Sequence, residues 1–242
     1  MQKEIIVEVR NLTKKYGSLT ALDSLNFNIH KGEIFGLMGP NGAGKSTFIS
    51  ILTTLCRPTG GDIIINNYSV SRQPDKVKKS IGFVPQDIAL YLPLSGLDNL
   101  RFWSGIYGLT GKLREERIEE ALSVVRLGER AKDRVGEYSG GMKRRLNIAV
   151  ALLHHPEILV MDEPTVGVDV QSRKYILDAV SNLRDEGKTI IFTSHYTDEM
   201  ESLCNRIAIL DRGAAKALGT VEELLKGHKK SRIEDIMLEI ME

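Results

Sequence analysis

The stretch Gly39-Pro40-Asn41-Gly42-Ala43-Gly44-Lys45-Ser46-Thr47 fits the phosphate-binding pattern G-x-x-x-x-G-K-[ST]. The apolar run at 34–38 before it predicts a buried strand. The apolar residues after it recur at helical spacing: Phe48, Ile49, Ile51, Leu52 and Leu55. Glycines let backbone N–H groups turn toward a phosphate, and the N-terminus of the following helix adds partial positive charge. This order predicts a nucleoside triphosphate site rather than an ordinary glycine-rich turn.

Two further parts of such a site can be assigned by residue type. Lys45 is expected to reach the β- and γ-phosphates, and the Ser46 hydroxyl to ligate Mg²⁺. The apolar run at 158–161 predicts a central parallel strand, which ends in Asp162-Glu163-Pro164. Asp162 can hold Mg²⁺ beside the phosphates, and Glu163 can polarise a water molecule for attack on the γ-phosphate. With a phosphate loop upstream, we favour this interpretation over a helix cap.

Polar residues at three other element ends keep two interpretations each. Tyr16 is either a half-buried surface tyrosine or a flat face on which an adenine stacks. Ser139, Gly140 and Gly141 begin a helix, where they either cap it or offer free N–H donors to an anion. Gln86 follows a strand at 81–84 and is either solvated or part of the site.

The position of His195 in the sequence supports a place in the same site. It follows the predicted buried strand 189–193, which neighbours the strand that ends in Asp162. Open α/β sheets bind ligands at the carboxyl ends of their strands. We therefore place His195 near the phosphates.

The rest of the chain predicts a mixed organisation. Alternating apolar residues at 5–9 and 25–29 predict two strands before the strand at 34–38. Because tight turns join neighbouring strands, we expect these three strands to be antiparallel to one another. Residues 87–137 have a helical pattern, beginning near a Ser95/Asp98 cap. The three cations Lys143, Arg144 and Arg145 are interpreted as the solvated face of a helix. Capping boxes at 220–223 and 231–234 predict two short terminal helices.

Composition excludes several classes of protein. With 33 Lys and Arg against 32 Asp and Glu in 242 residues, the net charge is +1, so bulk charge gives no reason to expect nucleic acid binding. The only cysteines are Cys56 and Cys204, too few for paired zinc fingers. We see no signal peptide, which favours a reducing cytosol, and no apolar run near the ~20 residues that span a bilayer.

Six motifs occur in a fixed order: GPNGAGKST at 39–47, Gln86, YSGGM at 138–142, ILVMDEP at 158–164, Asp169 and His195. The set resembles the nucleotide-binding subunit of ATP-binding cassette transporters over nearly the whole chain. The resemblance implies an α/β P-loop NTPase core with a mixed central sheet and an antiparallel β subdomain, formed by residues 1–86 and 138–219. It also implies a helical subdomain at 87–137 and a short C-terminal tail at 220–242.

The same resemblance implies roles for the residues left open above. Gln86 contacts the metal and the attacking water, and acts with Glu163 and His195 in catalysis. Ser46, Gln86 and Asp162 hold Mg²⁺. ATP lies against Tyr16 and the whole loop Gly39, Pro40, Asn41, Gly42, Ala43, Gly44, Lys45, Ser46 and Thr47.

The resemblance also implies partners. Ser139, Gly140 and Gly141 close over the ATP held by a second subunit, either an identical chain or a homologue, and Asp169 belongs to the D-loop at that interface. The pair drives a separate integral membrane permease from the inner face of the cell membrane. No nucleic acid is expected as a partner.

Tyr138 and Met142 depart from the commonest family pattern, which has leucine and glutamine there, but neither supplies the phosphate contacts. With Arg-Pro-Thr-Gly at 57–60, Asn-Leu-Arg-Phe at 99–102 and the segment 233–239, they resemble the daunorubicin-resistance type of exporter ATPase. That branch moves drugs, lipids, polysaccharides or ions outward. The alternative, a soluble cassette ATPase that acts on DNA or ribosomes, usually carries a coiled-coil insert, zinc modules or a second cassette, and we find none. A cassette that binds ATP without hydrolysis is disfavoured by Glu163 and His195.

Overall fold

Ten strands form two sheets within residues 4–241, the part of the chain that the computed structural model describes. In chain order they are β1 (Ile5–Tyr16), β2 (Leu19–His30), β3 (Ile34–Met38), β4 (Gly60–Ile65), β5 (Tyr68–Ser69), β6 (Ile81–Val84), β7 (Ile158–Asp162), β8 (Thr189–Thr193), β9 (Arg206–Asp211) and β10 (Ala214–Gly219). The larger sheet has the order β10-β9-β3-β8-β7-β6, with β10 antiparallel and the others parallel. The smaller sheet, β2-β1-β4-β5, is antiparallel throughout. The mixed sheet and the antiparallel sheet confirm the predicted fold class.

The helices connect and cover these strands. In the same part of the chain they are α1 (Lys45–Leu52), α2 (Pro74–Ser80), α3 (Gly96–Ile106), α4 (Gly111–Val124), α5 (Gly140–Leu152), α6 (Val170–Asp185), α7 (Thr197–Leu203), α8 (Val221–His228) and α9 (Ile233–Met241). Helices α3 and α4 fall in the segment predicted to be helical, and Ser95 caps α3 by accepting from the Asp98 N–H. Between residues 4 and 241, none of the helices combines the length and apolar character that crossing a bilayer requires.

The central strands bury both of their faces, which explains their continuous apolar runs. On β7, Ile158 and Val160 point to a core shared with α1 and the antiparallel sheet. Leu159 and Met161 point to the opposite core, shared with α5 and α6. The large sheet is therefore covered on both faces, and its accessible chemistry lies at strand ends.

Two strand predictions need correction. The antiparallel pairing of β1 with β2 is confirmed, but β2 and β3 do not pair, because the chain leaves the small sheet after His30 and enters the large one. Ile5 was predicted on the buried face of β1, yet it is exposed and Ile6 is buried. The register shifts between Ile5 and Val7, which reverses the side on which Ile5 lies.

Some helix ends also differ from prediction. Leu55 was assigned to the apolar face of α1, but the helix ends at Leu52 and Thr54 takes a left-handed conformation, which leaves Leu55 71% exposed. The capping box of Thr220 and Glu223 forms at α8. Within residues 4–241 the predicted Ser231–Glu234 box does not form at α9, where the N–H of Ile233 donates to Glu201 Oε1. Helices α2 and α7 and strands β5 and β10 were not anticipated.

The parallel strands bring the predicted polar residues to one edge of the sheet. Strands β3, β6, β7 and β8 all run in the same direction, so the loops that follow them emerge together. The register pairs Asp162 of β7 with Thr193 of β8. This edge is where the candidate site forms.

Candidate functional site

The loop 39–47 joins β3 to α1 and leaves backbone donors free at the helix start. Gly44 is the N-cap residue, with φ of 105°, and no side chain caps the helix. A Cβ at Gly44 would lie 2.6 Å from the carbonyl oxygen of Ala21, so the loop needs glycine here for both conformation and space. Uncapped N–H groups at a helix N-terminus attract an anion.

Lys45 is buried within this loop. Its Nζ donates to the carbonyl oxygens of Gly39, at 2.6 Å, and Pro40, at 3.1 Å. Burial lowers the pKa of Lys45, and the nearby carboxylates of Glu163 and Asp162 oppose that shift. Neutral carbonyls compensate a buried ammonium less well than an anion does, so the loop favours a negatively charged ligand.

A cavity of about 610 Å³ opens in front of the loop. Its lining combines the β1–β2 turn, the phosphate loop and the strand ends: Tyr16, Leu19, Thr20, Ala21, Asn41, Gly42, Gly44, Lys45, Ser46, Thr47, Gln86, Glu163, His195 and Arg212. The Tyr16 ring is 50% exposed and contacts the Lys14 ammonium, whose Nζ lies 4.9 Å from the ring centroid. An exposed aromatic ring and cationic side chains in one cavity suit a nucleotide.

Glu163 is the point where three strand ends meet. Gln86, after β6, donates from Nε2 to Glu163 Oε2 at 2.9 Å. His195, after β8, places Nε2 2.5 Å from Glu163 Oε1. The Glu163 backbone has φ of 49°, a left-handed conformation, and its N–H donates to Thr193 Oγ1 at 2.9 Å. A carboxylate held in this way can accept a proton from a water molecule at the cavity wall.

Asp162 takes a different direction from Glu163. Its Oδ1 accepts from Thr193 Oγ1 at 2.7 Å. Within residues 4–241 no cluster of three or more His, Cys, Asp or Glu side chains could form a protein-only metal cage. Of the predicted Mg²⁺ ligands, Ser46 and Gln86 line the cavity, whereas Asp162 does not. Their oxygens are of the kind that Mg²⁺ binds, since this ion uses few protein oxygens and takes its other ligands from phosphate and water.

The predicted phosphate contacts Ser139, Gly140 and Gly141 do not line this cavity, and neither does Asp169. Ser139 caps α5 by accepting from the Met142 N–H at 3.2 Å. Asp169 caps α6, and the hydrogen bonds from Ser172 lower the pKa of its carboxyl. One chain therefore brings the phosphate loop together with Tyr16, Gln86, Glu163 and His195. The starts of α5 and α6, with Ser139, Gly140, Gly141 and Asp169, lie outside this cavity.

Several residues near the site were not predicted from the sequence. Thr193 is buried and fixes both Asp162 and Glu163, and its place as the β8 residue opposite Asp162 was the available signal. Arg212 lines the cavity from the β9–β10 turn. Arg144 was interpreted as solvated, yet it is only 6% exposed, because its guanidinium donates to the backbone next to Gln86.

Gly141 is needed for packing in addition to its predicted role. A Cβ there would overlap the Ser172 side chain, whereas a Cβ at Gly140 would have only Gly167 O nearby, at 3.9 Å. We expect Gly141→Ala to lower the free energy of unfolding by roughly 1–3 kcal/mol, as overpacking does. Urea denaturation measures it, and Gly140→Ala is the matched control. Adding Ser172→Gly should restore most of the loss; a lack of restoration would remove the overlap as the cause.

The geometry defines the class first: a P-loop protein whose loop, carboxylates and histidine surround one nucleotide-sized cavity. The family model described as ABC transporter matches residues 22–166, and the chain belongs to that family, as an ATP-binding and ATP-hydrolysing subunit. The chain is 49% identical over 219 residues to a linearmycin resistance ATP-binding protein of Bacillus subtilis, a match that covers 90% of this chain and 70% of that protein.

Two other comparisons agree. A doxorubicin resistance ATP-binding protein of Mycobacterium tuberculosis is 39% identical over 240 residues, covering 98% of this chain and 71% of that protein. A solved dimeric ATP-binding cassette, in a post-hydrolysis state with ADP and Pi, superposes with a TM-score of 0.79 at 31% identity, covering 89% of this chain and 99% of that one.

Proposed function

We propose that this chain is the ATPase subunit of an exporter, pairing with a second such subunit and driving a separate membrane permease from the cytoplasmic side. The observation that carries the proposal is the half-site. The cavity contains Tyr16, the phosphate loop, Gln86, Glu163 and His195, while the helix start at Ser139 lies outside it. In this proposal the chain divides as predicted into a core (1–86 and 138–219), a helical subdomain (87–137) and a tail (220–242).

Within one half-site each residue has a distinct task. The Tyr16 ring supports the adenine, and Lys45 with the N–H groups of 39–47 holds the phosphates. Ser46, Gln86 and Asp162 would hold Mg²⁺, which supplies positive charge to the phosphate oxygens when bound. Glu163 accepts the proton of the attacking water, and His195 fixes the position of that carboxylate.

The second subunit supplies what is missing. Its Ser139 hydroxyl and the N–H groups of Gly140 and Gly141 face the γ-phosphate, and its Asp169 lies beside them. This placement is supported by the solvent exposure of Ser139 and Gly140 at the start of α5 and by the similarity to a cassette solved as a dimer. An identical chain or a homologue fits equally, because the interface uses the same motifs on both sides.

The segment 86–91 is suited to carry movement from the cavity to a partner. Its backbone is fixed by buried side chains. Arg144 donates to the carbonyl oxygens of Pro85 and Gln86 at 2.9 and 2.6 Å. Asn147 of α5 accepts from the N–H of Ala89, and Asn99 of α3 bonds both backbone groups of Tyr91. A displacement of this segment therefore reaches Gln86 and α5 together.

Next to this segment lies an apolar surface, which we name the coupling surface: Tyr91, Leu92 and Phe102. All three are more than 40% exposed, and the rings of Tyr91 and Phe102 are 4.8 Å apart. Ile88 and Leu90 of the same segment are half-buried instead, and Leu90 packs against the core. An apolar segment of the permease would cover the coupling surface.

The direction of transport rests on the relatives. The two named above are resistance proteins for linearmycin and doxorubicin, and outward transport is a direct route to resistance. We therefore propose an exporter. The bulk net charge of +1 gives no support to the alternative of a nucleic acid partner.

The test uses Tyr91→Asp with Leu92→Asp. The double variant should retain an isolated ATPase rate within a few-fold of wild type, because neither side chain lines the cavity. Charges on the coupling surface should prevent co-purification with the permease, since a buried carboxylate would lack a partner there. The measurements are ATP hydrolysis and a pull-down from membranes.

Leu238→Asp is the control, because Leu238 is an exposed leucine on α9, away from this surface. It should leave both hydrolysis and the pull-down unchanged. Wild-type co-purification of the double variant would place the coupling surface elsewhere.

A further inference from the structure

Glu199 of α7 is a buried acid that the proposed mechanism does not use. It is 1% exposed and has three hydrogen-bond donors. Its Oε2 accepts from Ser194 Oγ at 2.5 Å and from Thr165 Oγ1 at 2.9 Å. Its Oε1 accepts from Arg173 Nε at 2.6 Å. All of these donors have good hydrogen-bond distances, so the carboxylate is fully satisfied.

The three donors belong to three segments of the candidate site. Thr165 is two residues after Glu163, and Ser194 directly precedes His195. Arg173 lies in the first turns of α6, four residues after Asp169. One carboxylate thus connects the loop of the proposed base, the loop of the histidine and the helix that begins at the predicted subunit interface.

His195 itself lies between two anchored residues. Ser194 is held by Glu199, and its Oγ also accepts from the Tyr196 N–H at 3.0 Å. The Arg173 guanidinium lies over the Tyr196 ring, 4.4 Å from its centroid. His195 is 42% exposed and reaches Glu163, so its ring depends on these flanking contacts for its position.

The electrostatics require these contacts to act together. A buried carboxylate is tolerated when an opposite charge and hydrogen-bond donors compensate it. Arg173 supplies the charge, and it also pairs with Asp198 at 2.8 Å, but Asp198 is 69% exposed and water screens it. Neutralising Glu199 should therefore loosen all three segments, whereas neutralising Asp198 should not.

We propose that Glu199 is a positioning residue for ATP hydrolysis: it fixes the His195 loop against the Glu163 loop and ties both to α6. The inference rests on the proposed function, since it gives Glu163 and His195 their tasks. It adds a residue outside the cavity that controls the geometry of hydrolysis without contacting nucleotide.

The test compares Glu199→Gln with Asp198→Asn in the full chain. Misplacement of a catalytic group by about 1 Å can cost on the order of 10²-fold, so we expect Glu199→Gln to reduce kcat by roughly 10- to 100-fold. KM and the number of ATP molecules bound per chain should stay near wild type, because no phosphate-loop contact changes. Asp198→Asn should keep kcat within about twofold, as exposed pairs contribute little.

Ser194→Ala is the second variant, in case Glu199→Gln does not fold. It removes one donor on the His195 side and leaves the Arg173 pair intact, and we expect kcat to fall several-fold with full nucleotide binding. Combined with Glu199→Gln, it should add little further loss, because both act through the same contact.

Three results would overturn the proposal: a wild-type kcat in Glu199→Gln, a wild-type kcat in Ser194→Ala, or a kcat loss in Glu199→Gln matched by an equal loss of nucleotide-binding sites. Glu163→Gln separates this failure from failure of the proposed function. If Glu163→Gln also turns over normally, the proposed base is wrong; if it is inactive while Ser194→Ala and Glu199→Gln are active, only the role of Glu199 is wrong.

Discussion

Glu163→Gln is expected to lower kcat for ATP hydrolysis by a factor on the order of 10²–10⁴ while leaving ATP binding intact. The amide has the shape of the carboxylate and one oxygen acceptor, so it can keep the hydrogen bond from Gln86. It cannot take a proton from water. The backbone conformation at φ of 49° should persist, since the Glu163 N–H still donates to Thr193.

The measurements are steady-state hydrolysis and equilibrium binding of a fluorescent ATP analogue. Glu157→Gln is the matched control, because Glu157 is exposed and lies directly before the first residue of β7, whereas Glu163 follows the last one. It should match wild type in both assays. Turnover close to wild type in Glu163→Gln would mean that another group accepts the proton, and His195 would then be the next candidate.

Lys45→Ala is expected to weaken ATP binding by roughly 10²-fold or more, since a charged hydrogen bond in a buried site contributes about 1.5–3 kcal/mol and other phosphate contacts depend on it. The Lys45 ammonium donates to the carbonyl oxygens of Gly39 and Pro40, and an incoming phosphate can replace these acceptors. Lys216→Ala removes an exposed lysine outside the cavity and should bind ATP normally. Isothermal titration with Mg²⁺ and ATP measures both variants. Wild-type affinity in Lys45→Ala would contradict its assignment.

The parts of the site that follow the chain locally could be predicted from the sequence. The glycine-lysine loop, the strand 158–162 with its terminal carboxylates and the histidine after β8 each have a local pattern. Parallel strand order then brings them to one edge, as the pairing of Asp162 with Thr193 confirms. The Ser95 cap and the 220–223 capping box are also local features, and both form.

The parts that depend on distant contacts could not be predicted. Arg144 is one of three consecutive cations and has the pattern of a solvated helix face, yet it bonds a loop 58 residues away. Glu199 looks like an ordinary acid in the first turn of a short helix, and only the tertiary structure brings Thr165 and Arg173 to it.

Tyr138 shows how such contacts explain a departure from the common family pattern. It is buried, and its hydroxyl donates to the carbonyl oxygen of Arg130 at 2.6 Å. Gly96 leaves room for that hydroxyl, since a Cβ there would lie 2.5 Å from it. The tyrosine therefore stabilises the 128–138 connection.

The central claim is that two chains complete each other's ATP sites, and mixing two inactive variants tests it most directly. Lys45→Ala damages the phosphate loop, and Ser139→Ala damages the segment proposed to reach the partner's ATP. A heterodimer of the two carries both defects in one site and none in the other. If one intact site suffices, random pairing in an equal mixture should restore hydrolysis to about a quarter of the wild-type rate. A mixture that stays as inactive as either variant, although the two chains pair, would contradict the claim that one intact shared site hydrolyses ATP.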